Sequence, residues 1–218
     1  VISIDTSSDV KVVTTKNGNY QAKNIIVATG RIPKYLGLDN EKDYLGRGIS
    51  TCATCDGFLY KDEDIAVVGS GNSALQESLY LAKLAKKVYL LHRGNKFKGD
   101  DALVENVKNT NNIEIIGGVN VEKINEENGK INSVLLDNGN VINVKGIFIY
   151  IGYRPDTDMF KSLDITNING DIIVDENFET EIDGLYAIGD CIKKGVYQLV
   201  TAASDGCIAV SNIEKNDF

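Results

Sequence analysis

Two cysteines stand two residues apart, Cys52 and Cys55, in the stretch TCATCDG at 51–57. Thiols at this spacing can close a short disulfide ring and be reopened by thiol–disulfide exchange. The attacking species is a thiolate, and the carboxylate of Asp56 would hinder its formation if it acted merely as a negative neighbour. Asp56 is better suited to carry a proton to or from a leaving thiolate. We therefore predict that Cys52, Cys55 and Asp56 form a catalytic redox centre.

A metal site is the main alternative for these cysteines. A structural zinc site takes four ligands, of which Cys52 and Cys55 would supply two. His92 is the single histidine, and Cys191 and Cys207 stand alone, so the sequence offers no second pair of ligands. We expect no metal. A pair of inert buried thiols is a further alternative at this point.

A glycine-rich turn, GSGNSA at 69–74, follows a short apolar run at 65–68. Gly69 suits a tight turn, Gly71 lets the backbone approach a pyrophosphate, and Ala74 lets a helix pack closely on the strand. A helix beginning here would direct unpaired N–H groups at the phosphates. The predicted nucleotide contacts are Gly69, Gly71, Asn72, Ser73 and Ala74. The alternative is a plain glycine-rich turn of an α/β domain.

The second strand of this unit ends in the stretch LHRGNKFK at 91–98, which contains cations and no acid. A protein that binds the ribose 2′-hydroxyl of NADH would need Asp or Glu here, whereas Arg and Lys suit the 2′-phosphate of NADPH. We therefore predict NADPH, contacted by His92, Arg93 and Lys98. A solvated basic loop is the alternative.

The hydrophobic pattern predicts the elements that position these residues. Buried strands at 65–68, 87–91 and 113–116 alternate with helices at 72–85 and 101–108, which indicates a parallel sheet with right-handed crossovers. Hairpin signals predict an antiparallel meander within 119–145. The remaining expected elements are a buried strand at 24–30, strands at 171–174 and 185–188, and a closing helix at 200–213.

Composition narrows the class of protein. The 218 residues are 43% hydrophobic and carry a net charge of -8, which argues against a nucleic-acid partner. No apolar run approaches the roughly 20 residues that span a membrane, and there is no signal peptide. The sparse cysteines favour a soluble, cytoplasmic protein. The chain starts with Val1 inside an apparent strand, so we expect the natural N-terminus to lie upstream.

Together these motifs resemble the low-molecular-weight thioredoxin reductases. The matching stretches are ATG at 28–30, CATCDGF at 52–58, IAVVGSGNSA at 65–74, HR at 92–93, IGYRP at 151–155 and AIGDC at 187–191. The resemblance implies an α/β fold in which a Rossmann-like NADPH-binding domain, residues 35–146, is inserted in a partial FAD-binding domain of the same three-layer type. The two segments of that partial domain would be 1–34 and 147–218.

The resemblance also implies an activity, thioredoxin-disulfide reduction, with electrons passing from NADPH through FAD and the Cys-x-x-Cys disulfide to thioredoxin. Cys55 would face the flavin and Cys52 would exchange with the partner disulfide. FAD would contact Thr29, Gly30, Gly189, Asp190, Gln198 and Leu199. The family architecture implies a homodimer.

The chain departs from the family at three places. The FAD fingerprint G-x-G-x-x-G is absent, and its usual position lies upstream of Val1. Gly94 replaces a second Arg in the NADPH loop, and Lys98 takes the place of a later Arg. Tyr197 stands where the family often has Arg. Two alternatives therefore remain: a related flavin disulfide reductase with another donor or acceptor (ferredoxin, NADH or a peroxidase-system partner), and a catalytically silent nucleotide-binding fragment.

Overall fold

The computed structural model of the chain describes residues 1–39 and 41–216. The chain divides into two compact units, which we describe separately. The discontinuous unit combines Val1–Ile32 with Tyr153–Phe218, and the inserted unit is Pro33–Gly152.

The elements follow one another in chain order. The first strands are β1 (Ser3–Asp5), β2 (Lys11–Thr15), β3 (Gly18–Ala22), β4 (Ile25–Val27) and β5 (Arg31–Pro33). Next come β6 (Ile49–Ser50), α1 (Ala53–Asp56), β7 (Asp64–Val68), α2 (Asn72–Leu81), β8 (Lys87–His92), α3 (Asp101–Lys108), β9 (Ile113–Gly117), β10 (Val121–Glu127), β11 (Lys130–Leu136), β12 (Val141–Asn143) and β13 (Gly146–Ile149). The last are β14 (Tyr153–Pro155), β15 (Leu185–Ala187) and α4 (Leu199–Asn216). Short 3-10 helices occupy Glu41–Tyr44, Gly57–Tyr60, Asp158–Leu163 and Gly189–Cys191.

The inserted unit is built on the predicted parallel sheet, with strand order β6-β13-β7-β8-β9. The chain runs from β7 outward through β8 to β9, and then returns to the other side of β7 as β13. The direction of winding therefore reverses between β7 and β13. In open parallel sheets a ligand crevice forms at such a point, outside the carboxyl ends of the strands.

Both faces of this sheet are buried, because successive side chains of its strands alternate between two cores. Ile65, Val67 and Phe148 pack among α1, α2 and α3. Ala66 and Ile147 pack on the other face, together with residues of β10, β11 and β12. This double burial explains why β7 and β8 are apolar runs rather than alternating patterns, as parallel strands usually are.

Strands β10, β11 and β12 form the predicted antiparallel meander. Asn128 and Gly129 join the first two strands with φ of 54° and 73°. Positive φ at both central residues is typical of the tight turn that matches strand twist, and it explains the Asn-Gly signal.

The discontinuous unit has smaller sheets. Strands β1, β2 and β3 form an antiparallel sheet, β4 pairs with β15 in parallel, and β5 pairs with β14. Among its described residues, a cluster of buried side chains packs together in this unit: Val27, Phe160, Ile165, Ile172, Leu185, Ala187, Cys191 and Ile192.

Several predicted elements differ from the structure. The strand predicted at 171–174 is wrong, since Ile172 makes isolated bridges to Thr166 and Ile192 there. Asp171 is instead turned inward to an ion pair with Arg31. The strand predicted at 24–30 shrinks to β4, and Ile26 in it is exposed.

The helix predicted at 72–85 ends at Leu81 as α2, and the closing helix is longer than predicted, running over Leu199–Asn216. Within residues 1–39 and 41–216, no helix is long and apolar enough to cross a membrane. The same residues contain no cluster of three or more His, Cys, Asp or Glu suited to a metal ion.

Candidate functional site

The cysteine pair is a disulfide placed directly after β6, at the carboxyl edge of the parallel sheet. Cys55 is exposed and Cys52 is half-buried, so the alternative of an inert buried pair is excluded. Cys52 also caps α1, because its Sγ accepts the backbone N–H of Cys55 at 3.2 Å. Thr54 Oγ1 lies 3.5 Å from the same sulfur.

These contacts make the two sulfurs chemically unequal. A nucleophile that attacks the exposed sulfur of Cys55 would expel Cys52 as a thiolate. The N–H of Cys55 and the hydroxyl of Thr54 are in place to stabilise the negative charge that develops on Cys52. The geometry therefore suits Cys55 as the sulfur that is attacked and Cys52 as the thiolate released.

Asp56 is the last residue of α1 and is half-exposed beside the disulfide. Burial raises the pKa of Tyr60, and the nearby Asp56 carboxylate raises it further. The ring of Tyr60 packs edge-on against Phe148, with the ring centroids 5.4 Å apart. Asp56 therefore adjoins the disulfide in sequence and lies close enough to Tyr60 to affect its pKa, and its role as proton carrier remains a prediction.

The glycine-rich turn follows β7 at the crevice where the sheet reverses its winding. Gly69 has a φ of 155°, and a Cβ there would overlap the carbonyl oxygen of Tyr150 and lie 2.8 Å from the Cβ of Ala74. Its N–H donates to Leu91 O at 3.0 Å. The position therefore requires glycine for structural reasons. At Gly71, by contrast, a Cβ would meet no atom within 4 Å, so the backbone there is open to a ligand.

The N-terminus of α2 has the properties of an anion site. Gly71 is its N-cap and provides no side-chain cap, and Asn72 and Ser73 in the first turn are exposed. The following loop closes over the turn, because the N–H groups of Lys98 and Gly99 donate to Ser70 O at 2.8 and 3.1 Å. A pyrophosphate fits an uncapped helix start of this kind.

The predicted 2′-phosphate contacts divide into two groups. Arg93 and Lys98 are exposed, and the backbone of Lys98 is tied to the glycine-rich turn. His92 is 6% exposed, and its ring packs on Phe97 with the centroids 4.3 Å apart. Burial lowers the pKa of His92, which favours a neutral imidazole. The structure therefore brings Arg93 and Lys98 to the surface and places His92 beneath them.

In the discontinuous unit, four of the predicted flavin contacts follow the carboxyl ends of two parallel strands. Strands β4 and β15 run side by side, so Thr29 and Gly30 follow one strand where Gly189 and Asp190 follow the other. Oδ1 of Asp190 is buried and has no hydrogen-bond partner. A buried, unpartnered carboxylate oxygen is costly unless a donor reaches it, so this atom fits a ligand hydroxyl or N–H.

Asp205 and Lys194, which no sequence pattern indicated, stabilise this edge. Asp205 of α4 is buried, accepts the N–H of Gly189 at 2.9 Å, and forms an ion pair with Lys194. The sequence signal that could have identified Asp205 is an acidic residue on the apolar side of a predicted helix.

Gln198 and Leu199, two further predicted flavin contacts, lie at the start of α4 and are exposed, Leu199 to 88%.

Comparison with known proteins decides the family, because the family model for pyridine nucleotide-disulphide oxidoreductases matches residues 1–206. The chain belongs to this family. Among curated relatives, the thioredoxin reductase of Buchnera aphidicola subsp. Baizongia pistaciae is 39% identical over 226 residues, covering 93% of this chain and 66% of the relative. That of Bacillus subtilis is 36% identical over 211 residues, covering 94% of this chain and 67% of the relative.

Solved structures agree with this membership. The crystal structure of Lactococcus lactis thioredoxin reductase in its FR conformation has a TM-score of 0.84 and 33% identity, covering 98% of this chain and 72% of that one. The predicted resemblance and the α/β fold class are thereby confirmed. The chain spans about two thirds of the length of the curated relatives it matches.

Proposed function

We propose that the protein is an NADPH-dependent thioredoxin-disulfide reductase, in which electrons pass from NADPH, by way of FAD, to the Cys52–Cys55 disulfide and on to thioredoxin. The main support is that an accessible disulfide and a glycine-rich turn without a side-chain cap lie at the same carboxyl edge of one sheet. A pure nucleotide-binding module has no use for the disulfide, and a thiol exchanger without a nicotinamide donor has no use for the turn.

The nucleotide is held by the inserted unit, for which we propose the domain limits 35–146. The backbone of Gly71 and the first turn of α2 (Asn72 and Ser73) bind the pyrophosphate. Arg93 and Lys98 bind the 2′-phosphate, and the buried His92 supports Phe97 beneath that loop. Lys98 acts as a point charge without the bidentate fork of an arginine, so we expect a moderate preference for NADPH over NADH.

FAD is held by the discontinuous unit, whose proposed segments are 1–34 and 147–218. Asp190 accepts a hydrogen bond through its unpartnered oxygen. Thr29, Gly30 and Gly189 line the same edge, and Gln198 and Leu199 present exposed surface at the start of α4. A bound flavin supplies a two-electron carrier that can accept a hydride from a nicotinamide and reduce a disulfide.

The cysteines then perform two exchanges. After reduction of the pair, the thiolate of Cys52 attacks a sulfur of the partner disulfide, which breaks the partner S–S bond and forms a mixed disulfide. Cys55, deprotonated through Asp56, attacks Cys52 and expels the second partner thiolate. Two electrons and two protons end on the partner dithiol, and the Cys52–Cys55 disulfide is restored.

An exposed apolar surface beside the disulfide supports a protein as the acceptor. Phe58 and Leu59 follow α1 and are 72% and 70% exposed. Contiguous exposed apolar surface is a feature of protein interaction sites. Thioredoxin is the acceptor that the family resemblance implies.

We further infer that the protein acts as a homodimer in the cytoplasm, without nucleic-acid or membrane partners. The family resemblance and the net charge of -8 support this. Light scattering of the purified, FAD-loaded protein should give twice the mass of one chain, and a monomer at all concentrations would contradict the dimer.

The activity is tested by following NADPH oxidation at 340 nm with FAD-loaded protein and oxidised thioredoxin. Cys52→Ser and Cys55→Ser should each lower turnover at least a thousandfold, the scale expected when one member of a catalytic unit is removed. Nucleotide binding, followed by fluorescence, should survive in both variants. Turnover that persists in either variant would refute the assigned roles.

The donor is tested by comparing NADPH with NADH in stopped flow. Arg93→Ala and Lys98→Ala should each weaken the preference for NADPH about tenfold, the loss of one charge-assisted contact. Lys130→Ala, an exposed lysine on β11, serves as the matched control. Equal rates with the two nucleotides in the unaltered protein would sink the 2′-phosphate assignment.

A further inference from the structure

Three strands of the inserted unit end side by side, and each is followed by a residue of the candidate site. Cys52 follows β6, Tyr150 follows β13 and Gly69 follows β7, and these strands are neighbours in the sheet order β6-β13-β7. Tyr150 therefore stands between the disulfide and the glycine-rich turn. No motif in the sequence pointed to it.

The side chain of Tyr150 reaches the disulfide ring. Its hydroxyl accepts the backbone N–H of Ala53, at 2.7 Å. Ala53 lies between the two cysteines and is 1% exposed. It is also the first residue of α1, so its N–H has no acceptor within the helix. Without the phenol, this buried donor would lose the partner that the structure provides.

The backbone of Tyr150 is fixed from the other side. Its N–H donates to Val68 O at 2.7 Å, which continues the β7–β13 ladder by one residue. Its carbonyl oxygen lies so close to Gly69 that no side chain fits there. The ring itself packs against the helix-side core. The position of the hydroxyl is therefore set by the parallel sheet rather than by the loop that carries the cysteines.

We propose that Tyr150 is a positioning residue of the redox centre, whose hydroxyl holds Ala53 and thereby favours the closed disulfide form of Cys52 and Cys55. The bond is present in the disulfide form, where the two Cα atoms are 5.3 Å apart. Its loss leaves a buried N–H unsatisfied in that form, which shifts the equilibrium toward the open dithiol. The proposal rests on the proposed redox role of the cysteine pair.

The test measures the dithiol–disulfide equilibrium itself, with neither NADPH nor FAD present, so it is independent of the turnover assay. The protein is equilibrated in buffers of reduced and oxidised dithiothreitol, and free thiols are trapped with a maleimide and resolved by mass. Tyr150→Phe should move the equilibrium about fivefold to tenfold toward the dithiol, the effect of one unsatisfied buried donor. A tenfold change corresponds to ~30 mV for a two-electron couple.

Tyr89→Phe is the matched control, because Tyr89 lies on β8 and packs against the opposite face of the sheet. We expect it to leave the equilibrium within about twofold of the unaltered protein, the usual effect of a substitution remote from such features. An unchanged equilibrium in Tyr150→Phe, or a shift toward the disulfide, overturns the proposal.

Discussion

Both units of this chain carry predicted site residues, but the sheets and buried cores that support those residues differ in size. The inserted unit rests on five parallel strands with a buried core on each face. The discontinuous unit has three small sheets, and the parallel pair β4 and β15 packs with a cluster of buried residues. In the former, the glycine-rich turn and the disulfide begin where well-packed strands end. In the latter, the edge that carries Gly189 and Asp190 depends on contacts from α4.

The position of each site is set by different contacts. Hydrogen bonds of the five-stranded sheet set the positions of Gly69 and Tyr150. At Gly189 a sheet hydrogen bond ends at the preceding residue, and the Gly189 N–H itself donates to Asp205, which pairs with Lys194. We therefore expect the turn at Gly189 to depend on the single side chain of Asp205, and the turn at Gly69 to depend on backbone contacts. Single substitutions in the two units test this contrast.

Asp205→Ala should have the largest effect. It leaves Lys194 as a largely buried, unpaired charge and removes the acceptor of the Gly189 N–H, so we expect a loss of about 3–5 kcal/mol in the free energy of unfolding. Native-state hydrogen exchange should show lost protection in α4 and around Gly189, with β7 and β8 unchanged. The exposed Asp183→Asn is the control. Equal loss of protection in both units would contradict the contrast.

Gly69→Ala should come next, in the inserted unit. The φ of 155° and the overlap with the Tyr150 carbonyl should cost ~1–3 kcal/mol, measured by chemical denaturation.

Gly71→Ala is the paired control for Gly69. Its φ of -91° suits any residue and space is open, so stability should hold or rise slightly, while affinity for NADPH should fall because the new methyl covers the pyrophosphate path. If both variants lost stability equally, the division into a structural and a binding glycine would be wrong.

Arg31→Ala should cost less, ~1–2 kcal/mol. The guanidinium forms an ion pair with the buried Asp171 at 3.1 Å and stacks over Tyr197 at 4.7 Å. Arg154→Ala, whose partner Asp158 is half-exposed, should cost less than ~0.5 kcal/mol in the same unit. Thermal unfolding of both variants decides whether the buried pair contributes more, and equal shifts would argue against it.

His92 should give the smallest effect, and it depends on pH. Burial lowers the pKa of His92 in the folded protein, so as pH falls below the ordinary imidazole value of about 6.5 the unfolded chain takes up a proton first. Stability should therefore fall through that window and level off below the folded pKa, by ~1.4 kcal/mol for each unit of pKa difference. His92→Gln should flatten the profile. An identical slope in that variant would assign the effect to another group.

Much of the inserted unit could be predicted from sequence, because its signals are local. The apolar runs at 65–68 and 87–91, the turn at 69–74 and the Asn128-Gly129 hairpin each depend on a few adjacent residues. The discontinuous unit was harder to predict. Its residues at 171–174 include the apolar run Ile172–Val174, which is typical of a strand. Asp171, however, pairs with Arg31, 140 residues away, and strand pairing is limited to isolated bridges.

The candidate site likewise combines features set by local sequence with features set by long-range contacts. The cysteine spacing, the acid beside it and the glycine-rich turn can be identified from the sequence, because each is a motif of contiguous residues whose chemistry follows from spacing. Three other features follow from the tertiary fold: Tyr150 reaches Ala53, Asp205 accepts the Gly189 N–H, and His92 is buried while Arg93 is exposed. These facts depend on which strands and helices become neighbours, and that is fixed by packing across the whole unit rather than by any local pattern.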